Sequence, residues 1–181
     1  MISIPTLETE HLTLRAPCAD DFETYAGFKA SDRAKFAGGP LSRNDAWKSL
    51  AIVLGHWQLR GYGMWHAEEK STGALVGRFG FFNPEGWLGR ELAWLVFDGF
   101  EGKSYAYEAS AFLLDYAYNT QKWDSLISSI APDNTRSIAL AKRLGAHYEQ
   151  DWTSPSGKQS VIYRHPTPDL IGGDGGMEAY V

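Results

Sequence analysis

The run Phe97-Asp98-Gly99-Phe100-Glu101-Gly102-Lys103-Ser104-Tyr105-Ala106-Tyr107-Glu108-Ala109 carries the clearest chemical signal in this 181-residue chain. An extended segment ends in a loop of small residues that passes directly into a segment of helical period. Several backbone N–H groups then converge at the positive end of a helix, which makes a cradle for an anion. Tight strand-to-helix connections of any purpose use glycine, so the loop alone leaves its ligand open. Gly102-Lys103-Ser104 also resembles the end of a nucleotide-binding P-loop. That motif needs a further glycine where this chain has Phe97, and an acid for magnesium for which Asp133 is the sole candidate.

Other catalytic constellations are missing from the chain. There is no Gly-x-Ser-x-Gly elbow and no His-Glu-x-x-His, and the histidines at 11, 56, 66, 147 and 165 are scattered. His56, beside Trp57, reads as a helix-surface or packing residue. Cys18 is the only cysteine, which excludes an intramolecular disulfide and any cysteine-built zinc cage, so no metal site is expected. A reducing cytoplasm suits such a chain. Lysine and arginine total 17 against 22 acidic residues, a net charge of −5, so a broadly basic surface for nucleic acid is not expected. Pro5, Glu8 and Glu10 interrupt the start where a secretory leader would be apolar. The longest apolar runs, such as residues 92–97, are far below the ~20 residues that cross a bilayer, so no membrane span is expected.

Periodicity supplies the elements that must position the loop. Residues 11–16 alternate as a half-buried strand, and Asp20-Asp21 open a helix reaching Lys29. Ser42 is a natural cap for a helix over 43–60, with Trp47, Leu50, Leu54 and Trp57 at helical spacing. Residues 62–69, 74–83 and 90–97 read as an antiparallel meander, followed by a helix over 104–119. A strand at 125–130, a short helix at 134–144 stopped by Gly145, and strands at 146–151 and 160–164 complete the order. This is one mixed α+β domain over residues 1–166, a mostly antiparallel twisted sheet covered by helices. Residues 167–181 read as a glycine-rich tail, with Met177, Tyr180 and Val181 as possible anchors on a second subunit of a homodimer.

Six spaced segments in this order resemble the GNAT acetyltransferases of the RimJ/RimL-type branch. They are residues 7–15, residues 61–65 with 73–77, Glu91-Leu92-Ala93-Trp94, residues 102–109, residues 132–137 and Arg143-Leu144-Gly145-Ala146. The resemblance covers roughly residues 6–164. It implies transfer of an acetyl group from acetyl-CoA to a primary amine, either a protein N-terminus or a small molecule, in a ternary complex. It also implies that the strand ending at Phe97 splays from the one beginning near Ser125, with pantetheine along Leu95, Val96 and Phe97. The pyrophosphate would rest on the backbone of Gly102, Lys103, Ser104, Tyr105 and Ala106.

Amide formation needs a base for the ammonium and a proton for the departing thiolate. The resemblance offers Glu91 as the base; the alternative is that Glu91 pairs with Arg90 or Arg78 across the sheet, leaving Glu10 or a water chain as base. Asn134 would hydrogen-bond CoA or simply cap its helix, and Ser137 would orient or protonate sulfur. Ala141 stands where many relatives have a tyrosine acid. Glu101 adds a carboxylate beside the diphosphate, and Ser104 replaces a glycine. These departures define the alternative reading, a non-catalytic acyl-CoA-binding or scaffold protein on the same fold. The acceptor pocket is expected from residues 35–41, 57–65, 83–87 and 152–158.

Overall fold

The computed structural model describes residues 3–167. Strands β1 (Leu7–Glu8) and β2 (Leu12–Arg15) lead into helices α1 (Phe22–Ala30) and α2 (Arg43–Arg60). Strands β3 (Met64–Glu69), β4 (Leu75–Phe82) and β5 (Glu91–Val96) follow, then α3 (Tyr105–Asp115), which runs on into a π-helical turn at Tyr116–Thr120. Strand β6 (Ile127–Ile130), helix α4 (Thr135–Arg143) and the hairpin β7 (His147–Thr153) and β8 (Gln159–Arg164) complete the described chain. All eight strands form one sheet in the order β1-β2-β3-β4-β5-β6-β8-β7. Every neighbouring pair is antiparallel except β5 with β6.

Two apolar layers sandwich this sheet. Leu12, Leu14, Trp65, Phe79, Phe81 and Leu92 pack with Ala109 and Leu113 of α3. Phe22, Tyr25 and Phe28 of α1 and Leu50 of α2 pack with Phe97 in the second. Helix α2 starts at Ser42, whose Oγ accepts from the Asp45 N–H at 3.2 Å, and stops at Gly61, which takes φ 78°. Its buried stripe is Ala46, Leu50, Val53 and Trp57, while Trp47 and Leu54 are 51% and 40% exposed. The expected stripe is therefore rotated. Residues 46, 50, 53 and 57 satisfy helical spacing as well as 47, 50, 54 and 57 do, and only packing against the sheet selects between them. Strand β1 was not expected: two residues carry no periodicity, and it exists because Leu7 pairs with Leu14 across a tight turn.

The parallel pair is the feature that makes a site. Only Glu91 and Ile127 are registered between β5 and β6, with the Ile127 N–H donating to the Arg90 carbonyl at 3.0 Å. One residue further the ladder is replaced by a side chain: the Ser128 hydroxyl donates to the Leu92 carbonyl at 2.7 Å. Because that proton is committed, His165 Nε2 donates to Ser128 Oγ at 2.9 Å. Beyond this clamp the strands part. The tail beyond Thr167, with Met177, Tyr180, Val181 and the dimer expected through them, lies outside the described residues. Among the described residues no helix is long and apolar enough to cross a membrane.

Candidate active site

Glu91 opens β5 at the point where the strands separate, and its residue is only 8% exposed. Trp87 Nε1 donates to Oε2 at 2.7 Å, and the Ser129 backbone N–H also donates to the carboxylate. No cation pairs with it among the described residues. Arg90 reaches Asp124 at 3.8 Å and lies over the Trp123 ring, while Arg78 donates to the Tyr25 hydroxyl at 3.0 Å. Burial without a counter-ion pushes the Glu91 carboxyl up to about 7, although both hydrogen bonds pull the other way. Glu10, in contrast, has an 83% exposed side chain in the β1–β2 turn at the far edge of the sheet, beyond reach of this point.

From the splay a cleft of about 890 Å³ runs to the start of α3, lined by Leu95, Val96, Gly102, Ser104, Tyr105, Ala106, Asn134 and Ser137. Two expected residues, Phe97 and Lys103, are not in this lining. Phe97 is 2% exposed against Phe28, and its N–H donates to the Val76 carbonyl, so it belongs to the core. Lys103 turns its Nζ away to Glu69 Oε1 at 2.9 Å, and the Tyr105 hydroxyl donates to that same oxygen. Glu69, at the end of β3, thereby anchors the first turn of α3. Hydrogen bonds from Thr72, Tyr105 and Lys103 hold its carboxyl down at about 2.

The first turn of α3 has no side-chain cap: Ser104 occupies the N-cap position at φ 62° without using its hydroxyl. By contrast Ser42 caps α2 and Asn134 caps α4. Leading N–H groups of a helix have no intrahelical acceptor, so α3 presents a donor set suited to an anion at the end of the cleft. The φ of Ser104 also explains why glycine is usual there. Glu101 does not stand bare beside this cradle. Burial pushes its carboxyl up, but the N–H groups of Glu101, Gly99 and Phe100 together with Arg33 outweigh that and hold it low. Arg33 pairs with both Glu101 and Asp98. Arg33 thus offsets one of the two carboxylates, Asp98 and Glu101, that stand beside the loop.

On the opposite wall, Asn134 Oδ1 accepts from the Ser137 N–H at 3.3 Å, the N-cap contact, while both residues line the cleft. Ser137 Oγ accepts from Trp94 Nε1 at 3.2 Å, which leaves its own O–H free to donate. Ala141 is fully buried and offers no acid. Sequence reasoning missed the cations of this cleft, Arg33, Arg136 and Arg143. Arg136 and Arg143 are seven apart on α4, a two-turn spacing that places them on one face and was the available signal.

A second space of about 410 Å³ holds Glu91 and shares Trp94, Leu95, Asn134 and Ser137 with the cleft, so the two meet at those residues. Its walls include Phe36, Gly38, Arg78, Trp87, Trp152 and Lys158. Expected segments 35–41, 83–87 and 152–158 do contribute. Of 57–65 only Met64 reaches it, because Trp57 and Trp65 are core residues bonded to the Met64 and Pro5 carbonyls. His56 accepts from the Asn83 N–H and contacts the Tyr62 carbonyl, a packing role.

The chain matches the family model "Acetyltransferase (GNAT) domain" over residues 11–147. It is 34% identical to an acetyltransferase structure from Agrobacterium tumefaciens, covering 92% of this chain and 97% of that one with a TM-score of 0.84. A structure of RimL, a ribosomal L7/L12 alpha-N-protein acetyltransferase in complex with coenzyme A, shares the fold at 16% identity, with 90% and 98% coverage and a TM-score of 0.73. The uncharacterized protein YkkB of Bacillus subtilis (strain 168) is 32% identical over 103 residues, 53% of this chain, which spans 60% of that relative's length.

Proposed function

The chain belongs to the GNAT acetyltransferase family, whose acetyl donor is acetyl-CoA, and on that premise we propose that it is a RimJ/RimL-type N-acetyltransferase acting directly on a primary amine. Acetyl-CoA supplies an acyl thioester, which an unprotonated amine can attack. What carries this reading is the placement of Glu91, a buried carboxyl held near 7, in the acceptor space at the point where β5 and β6 part. A protonated amine entering that space meets a carboxylate able to take its proton at neutral pH. The uncapped first turn of α3 and the cations Arg136 and Arg143 suit a diphosphate and a phosphate at the far end of the cleft. The backbone groups of Trp94 and Val96, which alternate with those bonded to β4 and so face the side where β6 has parted, suit an extended amide-bearing arm, as an added strand would lie there. Ser137, with its hydroxyl proton free, stands to protonate or orient sulfur.

The acceptor is either a protein N-terminus, as for the RimL neighbour, an alpha-N-protein acetyltransferase, or a small molecule, and the setting is cytoplasmic. The test is thiol release from acetyl-CoA across a panel of peptides, polyamines, amino acids and other amines, alongside calorimetry with CoA. Amine-dependent release with CoA binding supports the assignment. Binding without turnover of any amine favours the acyl-CoA-binding scaffold, and no binding at millimolar CoA removes both.

A further inference from the structure

The acceptor space is chemically asymmetric. Register pairs Phe82 with Glu91 and Arg78 with Leu95, so Arg78, Phe82, Glu91 and Leu95 share one face of the sheet. Arg78 and Phe82 are four strand residues apart, which separates the carboxyl end from the guanidinium end by about 13 Å along the backbone. Both ends line the same space, together with Lys158 from the β7–β8 hairpin.

Three cations meet at the Arg78 end. Lys29 is 2% exposed and donates to the Ala37 carbonyl. A Cβ placed on Gly38 would lie 3.9 Å from Lys29 Nζ and 4.0 Å from Lys158 Nζ, so the two ammonium groups flank one turn. Burial, then Arg78, then Lys158 drive the Lys29 ammonium down to about 8, which reports how close these charges are. Among the described residues no ion pair joins Lys29, Arg78 or Lys158 to a carboxylate. Arg78 spends Nη1 on the Tyr25 hydroxyl and stacks on that ring at 5.2 Å, while its Nε is buried with no hydrogen-bond partner. Buried guanidinium donors are costly to leave unmade, and like charges gathered without an anion repel. A negative group seated there relieves the repulsion. The same field repels the distal ammonium of a diamine.

We propose that the acceptor is a small amine that also carries an anionic group, its amine directed to Glu91 and its anion held by Arg78 and Lys158. The proposal rests on the acetyl-transfer reading above and narrows its substrate class from primary amines in general to zwitterion-like ones. Polyamines and plain alkylamines then become poor acceptors. An N-terminal peptide in place of a small molecule is a distinguishable outcome of the test.

The experiment compares ε-aminocaproate with hexylamine, which lacks the anion, cadaverine, which replaces it by a cation, and a tripeptide with a free N-terminus, uncharged side chains and a blocked C-terminus. Thiol release from acetyl-CoA should show kcat/KM at least about ten-fold higher for ε-aminocaproate than for the other three. Lys158→Gln and Arg78→Gln should collapse that ratio through the KM for ε-aminocaproate, with the KM for acetyl-CoA unmoved. Arg78 also props Tyr25, so Lys158→Gln, on the exposed hairpin, is the variant that keeps the fold independent of the result. Equal rates for hexylamine, faster cadaverine or peptide, or a ratio that survives both substitutions would overturn the proposal. If no amine is acetylated, the enzymatic reading fails, and calorimetry of ε-aminocaproate onto the CoA-loaded protein judges the anion site separately. Binding that Lys158→Gln abolishes sustains the site; absence of binding overturns it.

Discussion

At the residue scale the decisive fact is that a carboxyl and its solvent have been separated without a cation to compensate. Glu91→Gln should lower kcat by roughly 10²- to 10⁴-fold with CoA affinity nearly unchanged, and should remove the limb of the pH–rate profile centred near 7. Stability moves in the opposite sense. The folded carboxyl keeps its proton from the ordinary 4.5 up to about 7, so its contribution is greatest at acid pH and is lost as pH rises through that window. Glu91→Gln should therefore melt higher than wild type at pH 8 by up to ~3 kcal/mol of stability, the gain shrinking toward pH 4.5, as thermal unfolding at both pH values will show. An ion-paired glutamate would show the reverse. Ser104 makes a second residue-scale case, since a non-glycine residue at φ 62° is strained. Ser104→Gly should stabilise the fold by ~1 kcal/mol in denaturant unfolding and tighten CoA in calorimetry; weaker binding would instead assign the hydroxyl a phosphate contact.

Among the elements, α3 depends on an anchor far from it in sequence. Glu69 ends β3 and receives Lys103, Tyr105 and Thr72, so the cradle's first turn is tied to the middle of the sheet. Glu69→Gln should loosen that turn and raise the KM for acetyl-CoA several-fold while affecting kcat less, which steady-state kinetics will read. Its carboxyl is depressed to about 2, so the stabilisation it provides is present above 4.5 and disappears as pH falls toward 2. The β5–β6 pair is the other dependent element. One registered pair followed by a serine bridge to a carbonyl is enough to hold the strands together at Glu91 and let them part beyond it.

For the whole molecule, the clamp at the splay ends in His165, which burial holds neutral down to about 4. An unfolded histidine takes its proton near 6.5, so the stability from keeping His165 neutral is complete above that value and is lost as pH falls to about 4. His56 and His66, also lowered mainly by burial, act in the same direction. Glu91 opposes them across the shared window. Wild-type protein should show a shallow dependence of Tm on pH between 4.5 and 6.5; Glu91→Gln should steepen the rise and His165→Asn should flatten it. Parallel slopes in all three proteins would remove His165 and Glu91 as the titrating groups.

Local signals were enough for elements whose pattern is self-contained. Ser42, the helical run to Arg60 and Gly61 carry their own start, period and stop, and the loop around Gly102 announces a strand-to-helix turn through composition alone. Motif order was legible for the same reason: each segment is contiguous. Tertiary structure decided everything that joins residues distant in the chain. Which stripe of α2 is buried, that the Lys103 ammonium serves Glu69, that Phe97 belongs to the core and that Arg33 pairs with Glu101 all follow from packing across the sheet. Glu91 shows the division most plainly. A sequence can place a carboxylate on a strand beside a loop, but its proton affinity depends on how much water and which charges surround it, and those are set only when Trp87, Ser129 and the parting strands close around it.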